Sequence, residues 1–145
     1  MSVDPVLVRR KMALVLADMQ DVDRLSRIPR DVFLADRTHQ LVAERVLERI
    51  IGRMIDVNYH VVTEREGIPP RDFYESFTGM ARLGVLSTGL ARALAPSAGL
   101  RNRLAHEYNE IDHGLVYDAL GTALAEVPRY LMAVEAALGP PPTAE

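Results

Sequence analysis

Apolar residues along this 145-residue chain recur every three to four positions, the period of a helix, and strand-like alternation is nearly absent. That pattern confines the chain to an all-α architecture. Asp4, an N-cap residue followed by Pro5 at the first helical position, opens a helix predicted to run to about Leu25. Its apolar stripe is Leu7, Leu14, Met19, Val22 and Leu25, and Ile28-Pro29 ends it. The longest predicted helix spans about Arg30 to Glu66, with Leu34, Leu41, Val42, Leu47, Ile51, Ile55, Val61 and Val62 facing the core. Along it Glu44, Arg45, Glu48, Arg49 and Arg53 are spaced for exposed ion pairs, and Gly52 marks a kink or a close helix crossing. Gly67-Ile68-Pro69-Pro70 is the clearest break in the chain, because glycine suits a C-terminal cap and paired prolines cannot continue a helix.

Shorter helices are expected from Arg71 to Leu83, from Ser87 to Leu94, and from Ala95-Pro96-Ser97 to about Glu107. A last one covers Asp112 to Leu138. Gly139 and three prolines stop it, so one domain is expected over residues 1–139, with a disordered Pro-rich tail at 140–145. The expected architecture is a helical bundle of two long antiparallel helices and about three shorter ones.

Composition narrows the chemistry. The chain has no cysteine, which excludes a disulfide framework, thiolate metal ligation and a cysteine nucleophile. A net charge of −3 argues against coating nucleic acid through bulk charge. All basic residues except Lys11 are arginine, a bias that codon composition explains without invoking function. Arg9-Arg10-Lys11 precede the apolar run Met12 to Ala17, which is too short for an export signal, and no stretch is long enough to span a bilayer. The expectation is a soluble, cytoplasmic protein without a membrane partner.

The chemically unusual segment is Arg101-Asn102-Arg103-Leu104-Ala105-His106-Glu107-Tyr108-Asn109, in which only Leu104 has core character. If it is helical, Asn102 and His106 share a face, so the amide can orient the imidazole. Arg101 lies about 140° round the helix from His106, so convergence on one substrate needs its long side chain or a second copy of the chain. Histidine exchanges a proton near neutral pH and a guanidinium holds phosphate or the charge that develops on it. RNA supplies its own 2′-hydroxyl nucleophile, so an arginine and a histidine suffice to cleave it. A solvated helix end with a structural histidine explains the same residues.

Other constellations carry less. Asp56, His60 and Glu64 lie four apart and Glu110 and His113 three apart, but a di-metal bundle needs more inward carboxylates than the chain offers. They read as a hydrated or paired helix face, and His39 and His113 as surface or structural residues. Ser76, Ser87 and Ser97 lack a strained elbow. Gly79, Gly84 and Gly89 read as helix breaks.

The segment from Arg101 to Tyr108 resembles the signature of HepT-type toxins of the HEPN superfamily: arginine, a polar neighbour, four to six residues, histidine, any residue and tyrosine. Arg37, the Glu44–His60 stretch, Pro69 before Phe73 and Phe77, Gly84-Val85-Leu86, Asn109 to Asp112 and Val116-Tyr117 resemble its flanking pattern, so the likeness covers about residues 5–125. The resemblance implies a HEPN-like bundle and a metal-independent endoribonuclease without cofactor. It implies a homodimer with two motifs facing across a cleft, and a minimal nucleotidyltransferase antitoxin as partner. Carried onto this sequence, Arg101 and His106 are catalytic, Asn102 supports them and Tyr108 is the residue modified with AMP. Arg92 and Arg103, with Arg101, form a local basic patch for RNA without an acidic residue between positions 89 and 106. The alternative is a non-catalytic helical module that uses the same cleft to bind a nucleotide or a partner.

Overall fold

The computed structural model describes residues 2–106 and 110–140, in which seven helices and no strand occur. They are α1 (Pro5–Ser26), α2 (Arg30–Ala35), α3 (Arg37–Glu66), α4 (Phe73–Arg82), α5 (Thr88–Leu94), α6 (Ser97–His106) and α7 (His113–Leu138). The architecture is an all-α bundle with three long helices rather than two, because α7 matches α1 in length and lies in the core beside it.

Side-chain pairs fix the directions. Asp4 donates its backbone N–H to His60 Nε2 at 2.9 Å, Lys11 meets Asp56 at 3.2 Å, and Asp18 meets Arg53 at 2.9 Å, so α1 and α3 run antiparallel. Arg9 pairs with Glu135 near the far end of α7, which makes α1 and α7 antiparallel as well. The core seams explain the packing. Val8, Met12, Val15, Met19 and Val22 on α1, Ala43, Leu47, Ile50, Met54, Val57 and Val61 on α3, and Val116, Leu120, Ala123, Val127, Tyr130 and Val134 on α7 are all buried. Each set steps by alternating three and four residues, the spacing that keeps an apolar seam facing its neighbours.

The expected helix from Arg30 to Glu66 is two helices. Asp36 adopts an extended conformation and its carboxylate accepts from the His39 N–H at 3.1 Å, capping α3. The buried Gln40 amide then donates to the Phe33 and Leu34 carbonyls at 3.0 and 3.1 Å, satisfying the end of α2. This break sets the register of α3 so that Gln40 and Ala43 face inward, and Leu34, Leu41 and Val42, expected in the core, are exposed. Leu14 is exposed for the same kind of reason, one step off the α1 seam.

Gly52 is no crossing point: α3 passes through it unbroken and nothing lies within 4 Å of where its Cβ would be. Gly79 and Gly89 lie inside α4 and α5, and only Gly84, with φ of 77°, breaks the chain as expected. Gly79 is instead the close approach, since a Cβ there would sit 3.2 Å from Val62 Cγ2 on α3. Arg49 and Arg53, expected in pairs along their own helix, reach across to the buried Asp18 on α1. His60 and Asp56 are likewise used between helices, and no group of three metal-ligating side chains forms among the described residues. No described helix is long and apolar enough to cross a membrane.

Candidate active site

Two short helices deliver the basic segment to the surface. Ser87 caps α5, its hydroxyl accepting from the Leu90 N–H at 3.1 Å. Ser97 Oγ donates to the Leu94 carbonyl at 2.6 Å and so ties α6 to the end of α5. α6 buries Ala98 and Leu104 and packs against α3 and α4. That anchoring decides which side chains face out: Gly99, Asn102, Arg103 and His106 are the exposed ones, within an arc of about 100°.

The segment is helical through His106, so Asn102 and His106 share a face as the spacing requires. Arg103 joins them there. Its Nη1 lies 3.5 Å from where a Gly99 Cβ would be, so the guanidinium folds back along the helix. It also borders a cavity of about 280 Å³ whose walls include Leu47, Ile50, Leu94, Leu115 and Asp118.

Arg101 goes elsewhere. Half-buried on the flank of α6, it places its guanidinium carbon 5.4 Å from the centroid of the Phe73 ring, at the start of α4. Phe73 in turn stands edge-on to Tyr59 of α3, with centroids 6.0 Å apart and planes at 80°. Burial, reinforced by the Asp72 and Glu75 carboxylates, raises the Tyr59 hydroxyl above the usual phenol range, so this ring remains neutral.

The start of α4 is fixed from two sides. Asp72 caps it by accepting from the Glu75 N–H at 2.7 Å. Ser76 Oγ donates to the Phe73 carbonyl at 2.7 Å and accepts from Asn58 Nδ2 at 3.2 Å, while Asn58 Oδ1 accepts from the Tyr130 hydroxyl at 2.6 Å. Asn58, Ser76 and Tyr130 are fully buried, so a polar chain crosses the core from α7 through α3 to the residue under Arg101. Sequence reasoning placed Phe73 and Tyr59 only within the flanking pattern and gave neither a role at the site. The available signal was Asp72, an N-cap residue immediately before an aromatic in the sequence Asp72-Phe73-Tyr74-Glu75.

Arg92 is exposed on α5. Neither it nor Arg101 nor Arg103 makes an ion pair with a described residue, whereas Arg9, Arg49, Arg53, Arg71 and Arg82 all do. Three guanidiniums on α5 and α6 therefore keep their charge available to an anion among the described residues. Tyr108 lies outside the described residues. Burial raises the Glu44 carboxyl of α3 above its usual range against the opposing pull of His113, at the start of α7, and Arg37.

The polar face of α6, the arginine on its flank and the helical order around them agree with one family model, described as ribonuclease HepT-like, which matches residues 15–134. The chain belongs to the HepT-like ribonuclease family. It is 31% identical over 137 residues to a tRNA nuclease HepT from Aphanizomenon flos-aquae, covering 94% of this chain and 93% of that one. Among solved structures it is similar to a tri-AMPylated HEPN toxin from Shewanella oneidensis in complex with an MNT antitoxin, with a TM-score of 0.80 and 22% identity over 90% of this chain and 97% of that one. YutE, a cytosolic protein of unknown function from Bacillus subtilis, matches with a TM-score of 0.70 at 19% identity, covering 92% of this chain and 95% of that one. The two likenesses show a shared helical fold, which in the Shewanella protein is that of a HEPN toxin. The family and the named nuclease place the HepT-like chain among the endoribonucleases.

Proposed function

We propose that this HepT-like chain is the toxin of a toxin–antitoxin pair, a metal-independent endoribonuclease that acts in the cytoplasm as a homodimer. The observation that carries the reading is the α6 surface: an imidazole beside an amide on one exposed face, with a guanidinium on the flank and no described acidic partner for any of the three arginines. His106 takes the proton of a 2′-hydroxyl or returns one to the departing 5′-oxygen. The 2′-oxygen attacks the adjacent phosphorus, the bond to the 5′-oxygen breaks, and a 2′,3′-cyclic phosphate and a 5′-hydroxyl remain. Arg101 stabilises the charge on the phosphorane, and Asn102 holds the imidazole. Arg103 and Arg92 hold the RNA backbone, giving a local basic field in a chain whose net charge is −3.

Because Arg101 and His106 diverge by about 140° on α6, pairing of two motifs across a dimer cleft supplies one substrate with both groups. The Aphanizomenon relative is a tRNA nuclease, which makes tRNA the first substrate to try. The Shewanella toxin is AMPylated and bound to an MNT antitoxin, and the same control is proposed here, with Tyr108 as acceptor. A nucleotide added two residues from His106 brings negative charge and bulk to the cleft that RNA must enter.

Incubation of purified protein with tRNA in EDTA, beside His106→Ala and Arg101→Ala, tests the enzyme reading. Wild-type cleavage that both variants lose supports it. Wild-type cleavage no faster than the variants reduces the protein to a module that binds a nucleotide or partner at the same surface. For Tyr108, co-expression with a minimal nucleotidyltransferase adds whole AMP units to the intact mass, and the addition disappears in Tyr108→Phe.

A further inference from the structure

The position of Arg101 over Phe73 is not explained by the need to hold α6 in place, because Ala98 and Leu104 already bury that helix. An arginine at a solvated helix flank is free to sample many rotamers, and this one has no described ion pair to select among them. Its guanidinium instead lies over Phe73, 5.4 Å from the ring centroid. Phe73 is itself held in three ways: by the Tyr59 ring at its edge, by the Asp72 cap one residue earlier, and by the Ser76–Asn58–Tyr130 chain that ends on its own carbonyl. A guanidinium held over a ring at this distance by cation–π attraction spends none of its N–H groups on an acceptor, so they remain free to meet the oxygens of a phosphate.

We infer that Phe73 is a positioning residue for the cleavage reaction: its ring, backed by Tyr59, holds the Arg101 guanidinium in the orientation that receives the phosphorane. This rests on Arg101 being catalytic. Phe73 touches neither RNA nor the reacting atoms and acts only through Arg101. Its removal therefore lowers the rate of the chemical step while leaving RNA binding, which depends on the exposed Arg92 and Arg103, almost unchanged. Misplacing a catalytic group reduces turnover by roughly ten- to a hundredfold.

The test compares wild type, Phe73→Leu, Phe73→Tyr and Arg101→Ala in tRNA cleavage, with kcat and KM separated by titration and folding checked by circular dichroism. The expected result is a fall in kcat of about tenfold or more for Phe73→Leu at unchanged KM, and near-wild-type kcat for Phe73→Tyr, which restores the ring face. A Phe73→Leu chain that is folded and fully active, while Arg101→Ala is inactive, overturns the positioning role and leaves Arg101 catalytic. An active Arg101→Ala chain removes the catalytic reading and the positioning role with it. If Phe73→Leu does not fold, NMR of the wild-type protein decides. Upfield ring-current shifts of the Arg101 side-chain protons support the stack, and random-coil shifts overturn it.

Discussion

Replacing Tyr130 by phenylalanine removes one oxygen from the centre of the bundle and leaves the ring in place. The hydroxyl lies 2.6 Å from Asn58 Oδ1 and 3.0 Å from the Met54 carbonyl. The Met54 carbonyl belongs to the α3 interior and keeps its helical N–H partner, so its loss is small. Asn58 Oδ1 has no other described donor and is fully buried, so it bears the desolvation of an unpaired acceptor, about 1–3 kcal/mol. At this chain length that corresponds to a fall in Tm of roughly 3–9 °C. Replacing Asn58 by leucine in the same chain removes the orphaned group, so the double variant loses less stability than the two single changes added together.

Burial also carries the sign of a pH effect. Full burial pushes the Tyr130 hydroxyl well above the usual phenol range, so the folded chain resists its ionisation. Stability supplied by that resistance is complete below the unfolded phenol pKa and declines as pH rises above about 10, a decline that Tyr130→Phe reduces. Urea unfolding followed by circular dichroism measures both effects. A Tyr130→Phe chain within about 0.5 kcal/mol of wild type at unchanged m would refute the claim that a satisfied polar chain braces this core.

Three further outcomes are expected. Asp18→Asn leaves Arg49 and Arg53 without their shared carboxylate between α1 and α3 and lowers stability by about 1–2 kcal/mol in urea titration, an effect that a charge-neutral surface site would not show. Glu44→Gln gains stability relative to wild type as pH rises from about 4 to 7, because a carboxyl whose pKa burial raises favours the folded state only while protonated, and melting curves across that range read the crossing. Arg103→Ala and Arg92→Ala raise KM for tRNA with little change in kcat and each flatten the salt dependence of binding by about 0.7 in log–log slope, as expected for a lost contact to a single-stranded phosphate backbone.

The helical class, the cap at Asp4, the turn at Gly67 and the helical run that carries Arg101 to His106 were all legible in the sequence, because each depends on residues within a turn or two of one another. Register was less accessible. Leu41 and Val42 fit a helical stripe as well as Ala43 does, and only the Asp36 cap, stabilised by Gln40 reaching back to α2, turned them outward. The destinations of charged side chains were not legible at all. Arg49 and Arg53 suit pairs along their own helix, yet Asp18, far away in sequence, takes both.

Helical period and spacing are local properties, so the helical class and the gathering of Arg101, Asn102 and His106 on one short segment are written in the chain itself. That Arg103 stands with Asn102 and His106 on the exposed face, and that Arg101 lies over Phe73, follows from the packing of distant elements. The face a helix buries is chosen by its neighbours. For α6 those neighbours are α3 and α4, and their approach is a balance of packing over the whole core that no short stretch of sequence records.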